Sequence, residues 1–185
     1  SKEFKNRYKL ITVKRTTKGQ ANTCLLAKKF LKKNDKIFIH SCDSFIKFNS
    51  KTIKKDLGKF KGIIYTTKPN KTHIENIKSY GWVNLKNNEI NKITCKKRAS
   101  SAPDKDFVII GTFAFQNKSI FVKLTRELIK SKQTVNNEYY LDMVFKLAVE
   151  TKNKIKNIKV KKYFSWGTPN ELYNWKKKFE KKMYS

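Results

Sequence analysis

The stretch Phe107-Val108-Ile109-Ile110-Gly111-Thr112-Phe113-Ala114-Phe115 decides how the rest of the chain is read. A nine-residue run this rich in β-branched and aromatic side chains is the strongest strand in the sequence. Gly111 in its middle predicts a bulge or a close backbone approach. Upstream, a loop from Arg98 to Asp106 containing Pro103 leads into the strand, and residues 80–95 form a hairpin whose turn is Asn87-Asn88. Downstream come two helices over 118–131 and 138–151, then a basic alternating strand over 155–164. In Thr168-Pro169-Asn170-Glu171, threonine is a cap, proline suits the first helical position and glutamate reaches back to the cap, so a last helix starts after Gly167.

Toward the N-terminus, residues 8–14 (YKLITVK) alternate like a strand and residues 20–33 place apolar side chains at helical spacing. Lys36 to Ser41 is a short apolar strand that stops at Cys42-Asp43-Ser44, and a short helix over 50–57 leads to another strand over 62–67. Strands alternating with helices predict an α/β fold: a mixed, mainly parallel central sheet with flanking helices. Without a repeat or a Pro/Gly-rich linker, residues 1–185 read as one domain.

Composition excludes several classes. With 38% hydrophobic and 13% aromatic residues, 185 residues are enough to build a core. No apolar run approaches the roughly 18 residues of a membrane span. The N-terminal SKEFKNRYKL lacks the apolar stretch of a secretory signal. Cys24, Cys42 and Cys95 form neither a CxxC pair nor an even set, which predicts reduced thiols and a cytoplasmic protein. Neither the cysteines nor His40 and His73 have the spacing of a zinc site. The net charge of +30 first suggests nucleic acid, but only four of the 44 basic residues are arginine, the side chain that grips phosphates bidentately. The lysines are scattered over nearly every segment and read as a solvated surface.

Seven short motifs then stand in order: Gly19-Gln20-Ala21, Cys42-Asp43-Ser44, Tyr80-Gly81-Trp82-Val83, Cys95-Lys96-Lys97, Val108 to Phe113, Asn137 to Asp142, and Trp166 to Leu172. Together they resemble the sugar-phosphate nucleotidyltransferases, which make nucleotide sugars from a nucleoside triphosphate and a sugar 1-phosphate. The resemblance implies that Asp43 binds Mg²⁺ at the carboxyl end of a strand, and that Lys96 meets the sugar phosphate. It implies that Gly19, Gln20 and Ala21 border the nucleotide, and that Gly81, Gly111, Asn137 and Glu138 line the sugar pocket. The resemblance also leaves oligomerisation open.

The chain departs from the family pattern at three places. The glycine-rich GGxGxR loop that cradles the triphosphate has no counterpart, since the six glycines include no GxG. The expectation is therefore the C-terminal part of a catalytic domain, as a fragment or as a truncated relative, silent or very weak by itself and partnered by a missing N-terminal part. The second metal position is Ser165, a weaker ligand than the usual Asp or Asn. Cys95 stands where the pattern has Glu, which removes an acceptor for sugar hydroxyls. Two other readings stay open. One is a cytidylyltransferase for a phosphorylated alcohol such as phosphocholine, caged by Trp82, Tyr139, Tyr140 and Trp166. The other is a basic nucleic-acid-binding or scaffold domain.

Overall fold

The computed structural model describes residues 8–183. Strand β6 (Phe107–Phe115) is the centre of its main sheet, with partners on both edges. One edge takes β3 (Gly62–Thr67), and β7 (Ile155–Lys159) continues the sheet beyond it. The other edge is shared end to end by two strands. β1 (Ile37–His40) pairs with the second half of β6 up to His40 opposite Thr112, and β4 (Gly81–Lys86) pairs with its beginning, Trp82 opposite Val108. β5 (Glu89–Cys95) folds back on β4. A separate two-stranded ribbon joins β2 (Ser44–Ile46) to β8 (Tyr163–Ser165).

Helices cover both faces. α4 (Lys118–Lys130) and α5 (Leu141–Glu150) bury Phe121, Leu124, Val144 and Phe145 against Ile64, Phe113 and Phe115. α2 (Ser50–Lys59) packs Ile53 and Leu57 on Ile63, Tyr65 and Ile110 from the opposite side. Asparagines fix the starts: Asn49 accepts from the Lys51 and Thr52 amides, and Asn117 from that of Ile120. His73 belongs to the capping box of the short helix α3 (Lys71–Glu75), where the Asn70 amide donates to its Nδ1. α6 (Pro169–Met183) starts where the sequence places it, with Thr168 and Glu171 exchanging bonds.

The mixed sheet with flanking helices is as expected, but the balance of strand directions is not. Among the described strands only β3 and β7 pair in parallel. The cause is the β4–β5 hairpin and the return of β6 antiparallel to β1, β3 and β4, none of which is a crossover unit. Residues 8–14 form no strand, because their alternation meets no sheet face; Tyr8, Leu10 and Val13 stay exposed. The helix expected over 20–33 is α1 (Gln20–Leu25) followed by a tighter turn over Leu26–Phe30, and it ends at an extended Leu31. The helix expected from 138 begins at Leu141, because Asn136 and Asn137 form a left-handed turn ahead of it. The strand expected over 155–164 breaks after Lys159, where β3 runs out, and resumes on β2.

Candidate active site

Where β1 ends and β4 begins along the same edge of β6, the backbone opens, and the ordered motifs gather around that break. Gly111 makes it possible. Its φ of +67° is a conformation that L side chains rarely adopt, and a Cβ there would lie 3.1 Å from the Ser41 hydroxyl. The Ser41 amide donates to the Gly111 carbonyl at 3.2 Å, so the chain leaves β1 hard against the β6 backbone. His40 ties the departing loop down through Thr112 and the Ser44 carbonyl, and the Ser41 and Ser44 hydroxyls bond at 2.8 Å.

The loop presents Asp43, which is exposed. A Cβ on Gly167 would stand 3.0 Å from Asp43 Oδ2 and 3.7 Å from Ser165 Oγ. The β2–β8 ribbon pairs Ser44 with Ser165, and the Trp166 amide donates to the Asp43 carbonyl at 2.7 Å. Asp43 and Ser165, 122 positions apart in the numbering, are thus brought to the same place. The donor set is one carboxylate and one hydroxyl; among the described residues no three His, Cys, Asp or Glu side chains cluster as a metal site. Ser165 Oγ also donates to Glu171 at 3.1 Å, which orients the hydroxyl's lone pairs away from the capping box.

On the other side of the break, Gly81 opens β4 opposite Cys95, the last residue of β5. Lys96 follows with a left-handed φ of +57°; its amide bonds the Tyr80 carbonyl, and its Nζ reaches the Ser79 carbonyl and lies 5.1 Å from the Tyr140 ring centre. Asp142, in the first turn of α5, packs its carboxylate against Gly81, the cross-strand partner of Cys95. Sequence reasoning left Asp142 unplaced. The signal it lacked is that Gly81 has no side chain to keep the acid out. Burial pushes the Asp142 carboxyl up to about 6, and burial together with Asp142 pushes the Cys95 thiol up to about 12. Tyr140 is likewise pushed up to about 12, first by its hydrogen bond with Glu138.

The remaining expected residues have structural tasks. Gly19 has φ +97°, and a Cβ on it would lie 2.7 Å from the Tyr139 amide nitrogen and 2.9 Å from the Glu138 Cβ. Ala21 is fully buried and its amide donates to the Tyr139 carbonyl, while Gln20 Oε1 accepts from the Leu141 amide. The Gly19–Ala21 segment therefore braces the one carrying Glu138, Tyr140 and Asp142. Asn137 is exposed in the turn, where its φ of +61° accounts for its identity. The aromatic rings named for a cage do not converge. Trp82 is buried with its Nε1 on the Ile77 carbonyl, Tyr139 lies in the main core, and Trp166 packs edge-on to Trp175.

Comparison with known proteins gives one family and a set of distant folds. A family model described as nucleotidyl transferase matches residues 2–182. No curated protein matches the sequence. A nucleoside-diphosphate-sugar pyrophosphorylase from Vibrio cholerae superposes with a TM-score of 0.68 at 17% identity, covering 88% of this chain and 66% of its own. A UDP-glucose pyrophosphorylase complexed with UDP-glucose gives 0.69 at 18%, covering 91% and 64%. The inositol-1-phosphate CTP transferase of T. maritima gives 0.57 at 16%, covering 83% and 58%. The chain thus spans less than two thirds of these structures. At such identities the likeness is one of fold.

Proposed function

The chain belongs to the nucleotidyl transferase family, and on that premise we propose that it serves the transfer of a nucleoside monophosphate from a nucleoside triphosphate to a sugar 1-phosphate. The observation that carries this reading is the meeting of Asp43 with Ser165 and Gly167 beside the break in the β6 edge that Gly81 also lines. An oxygen of the sugar phosphate attacks the α-phosphorus. The new P–O bond forms as the bond to the bridging oxygen breaks, and pyrophosphate leaves with that electron pair. Lys96 meets the phosphate of the attacking group and offsets its charge, which is positioning and electrostatic stabilisation rather than covalent catalysis.

Asp43 and Ser165 would hold Mg²⁺. One carboxylate and one hydroxyl fit an ion that takes its other oxygens from water and phosphate, and when bound it would neutralise charge on the triphosphate. The family motif assigns the border of the nucleotide to Gly19 and Gln20, with the fully buried Ala21 behind them, and the sugar pocket to Gly81, Gly111, Asn137 and Glu138. A second reading, a cytidylyltransferase for a phosphorylated alcohol, is favoured by the inositol-1-phosphate CTP transferase among the similar folds.

The test is binding. Nucleoside triphosphates with Mg²⁺, and nucleotide sugars, are titrated into the chain at about 150 mM salt, where charged contacts beyond roughly 8 Å are screened. Saturable, base-selective binding is expected, with Asp43→Ala removing its Mg²⁺ dependence. Affinity that collapses with salt and ignores the base would instead mark nucleic-acid-like association and overturn the reading. The 185 residues contain no glycine-rich triphosphate loop, so little pyrophosphate release is expected from this chain alone.

A further inference from the structure

Asp142 is an acid for which the reaction outlined above has no task. It sits in the first turn of α5, and its carboxylate fills the space left by the absent side chain of Gly81: a Cβ on that glycine would collide with Oδ2 and lie 2.7 Å from Cγ. Gly81 and Cys95 are cross-strand partners, so the carboxylate lies over the end of the β4–β5 hairpin, where it raises the Cys95 thiol and is attracted by the Lys96 ammonium. Lys96 Nζ forms no close ion pair with it, reaching the Ser79 carbonyl instead at 3.3 Å. A carboxylate offers about four acceptor positions.

A half-buried acid gives up part of its hydration, which carries a cost. Such groups concentrate where a ligand completes the set. The neighbourhood says what would complete it. With Lys96 Nζ held at the Ser79 carbonyl and not in a close pair with it, the carboxylate is open to neutral donors, and hydroxyls are the donors that accompany a phosphate small enough to reach Lys96. Cys95, a weak hydrogen-bonding group, cannot take this part, whereas Asp142 reaches the same spot from α5.

We propose that Asp142 is the specificity-determining residue that reads the hydroxyls of the phosphorylated substrate, accepting from them while Lys96 meets the phosphate. This rests on the function proposed above and adds which side chain selects a polyol phosphate over a plain one. A site built around an acceptor discriminates strongly against a ligand lacking the donor, because the acceptor is then left unpaired.

The experiment titrates the 185-residue chain and its Asp142→Asn and Asp142→Ala variants with glucose 1-phosphate, galactose 1-phosphate, inositol 1-phosphate and ethyl phosphate. Wild type is expected to bind at least one polyol phosphate more than tenfold tighter than ethyl phosphate. Both variants should lose that preference while holding ethyl phosphate as before, and Lys96→Ala should weaken every ligand. A preference that survives in both variants overturns the role of Asp142 and leaves the proposed function standing. If wild type binds base-selective nucleotide yet prefers no polyol phosphate, the inference also fails; if it binds neither, the proposed function fails with it. Removing a buried charge should not unfold the chain, so two unfolded variants would show that the acid is structural and overturn the inference.

Discussion

His40 Nε2 lies 2.9 Å from the Ser44 carbonyl oxygen, on the far side of the loop that carries Asp43. A carbonyl only accepts, so Nε2 carries the proton, and in the neutral ring Nδ1 accepts from the Thr112 hydroxyl at 2.7 Å. One imidazole thereby joins the end of β1, the middle of β6 and the start of β2. His40→Phe keeps a ring but leaves the Thr112 hydroxyl, which is fully buried, without this partner. The expected loss is about 1–3 kcal/mol of stability. Urea unfolding measures it, and amide exchange at Cys42–Ser44 should accelerate more than exchange in α4. Unchanged exchange in the loop would mean that His40 does not hold it.

The raised carboxyl of Asp142 makes stability depend on pH in a stated direction. Its ordinary value is 3.8, and burial lifts it to about 6 in the folded chain. Between those values the folded protein keeps a proton that the unfolded chain has released, so stability falls as pH rises through the window. Below about pH 4 the penalty is absent, and above about pH 6 it is complete. Asp142→Asn should therefore gain on wild type by about 1–3 kcal/mol between pH 4 and pH 7.5. Unfolding free energies of both proteins at the two pH values provide the check. A constant difference would show that the acid is not desolvated.

Three glycines separate backbone strain from open space. Gly58, in α2, has nothing within 4 Å of where a Cβ would stand, so Gly58→Ala should stabilise by about 0.5–1 kcal/mol through helix propensity. Gly111→Ala adds a left-handed alanine and a contact at 3.1 Å with Ser41, and should cost about 1–3 kcal/mol. Gly19→Ala should cost more, since the new methyl would meet Tyr139 backbone at 2.7 and 2.8 Å, atoms that cannot swing aside. Thermal melts rank the three, and Gly19→Ala falling beside Gly58→Ala would refute the close packing of Gly19 on Tyr139.

The same residues show what the sequence could and could not tell. Asn87 and Asn88 do turn the hairpin with φ of 53° and 63°, and Gly111 does mark a close approach, because turn and bulge chemistry is local. The capping exchange of Thr168 and Glu171 was legible for the same reason. The change of partner after Lys159 depends on where β3 ends, which no window of sequence contains. Residues 8–14 have a strand's alternation but no sheet face to use it on. Beside the break in the β6 edge, the short motifs that hold Asp43 and Lys96 were legible. Asp142 was not, because its place is set by a void at Gly81, sixty-one positions away in the numbering.

Lys156 and Asp56 give the last prediction. Lys156 Nζ lies 2.7 Å from Asp56 Oδ1, tying β7 to the buried face of α2, and Asp56 Oδ2 is buried without a partner among the described residues. The Asp56 side chain is 11% exposed and that of Lys156 35%, so the acid bears most of the desolvation. Removing only the lysine strands a buried charge. Lys156→Met should cost about 2–3 kcal/mol, less than a fully buried pair because water still reaches the lysine. Adding Asp56→Asn to that variant removes the stranded charge and should recover at least half of the loss. A double-mutant cycle from urea unfolding reads the coupling. If the double variant is as unstable as the sum of the singles, the pair is not coupled, and α2 is held to the sheet by the packing of Ile53 and Leu57 and by the bond from Gln116 Nε2 to the Leu57 carbonyl.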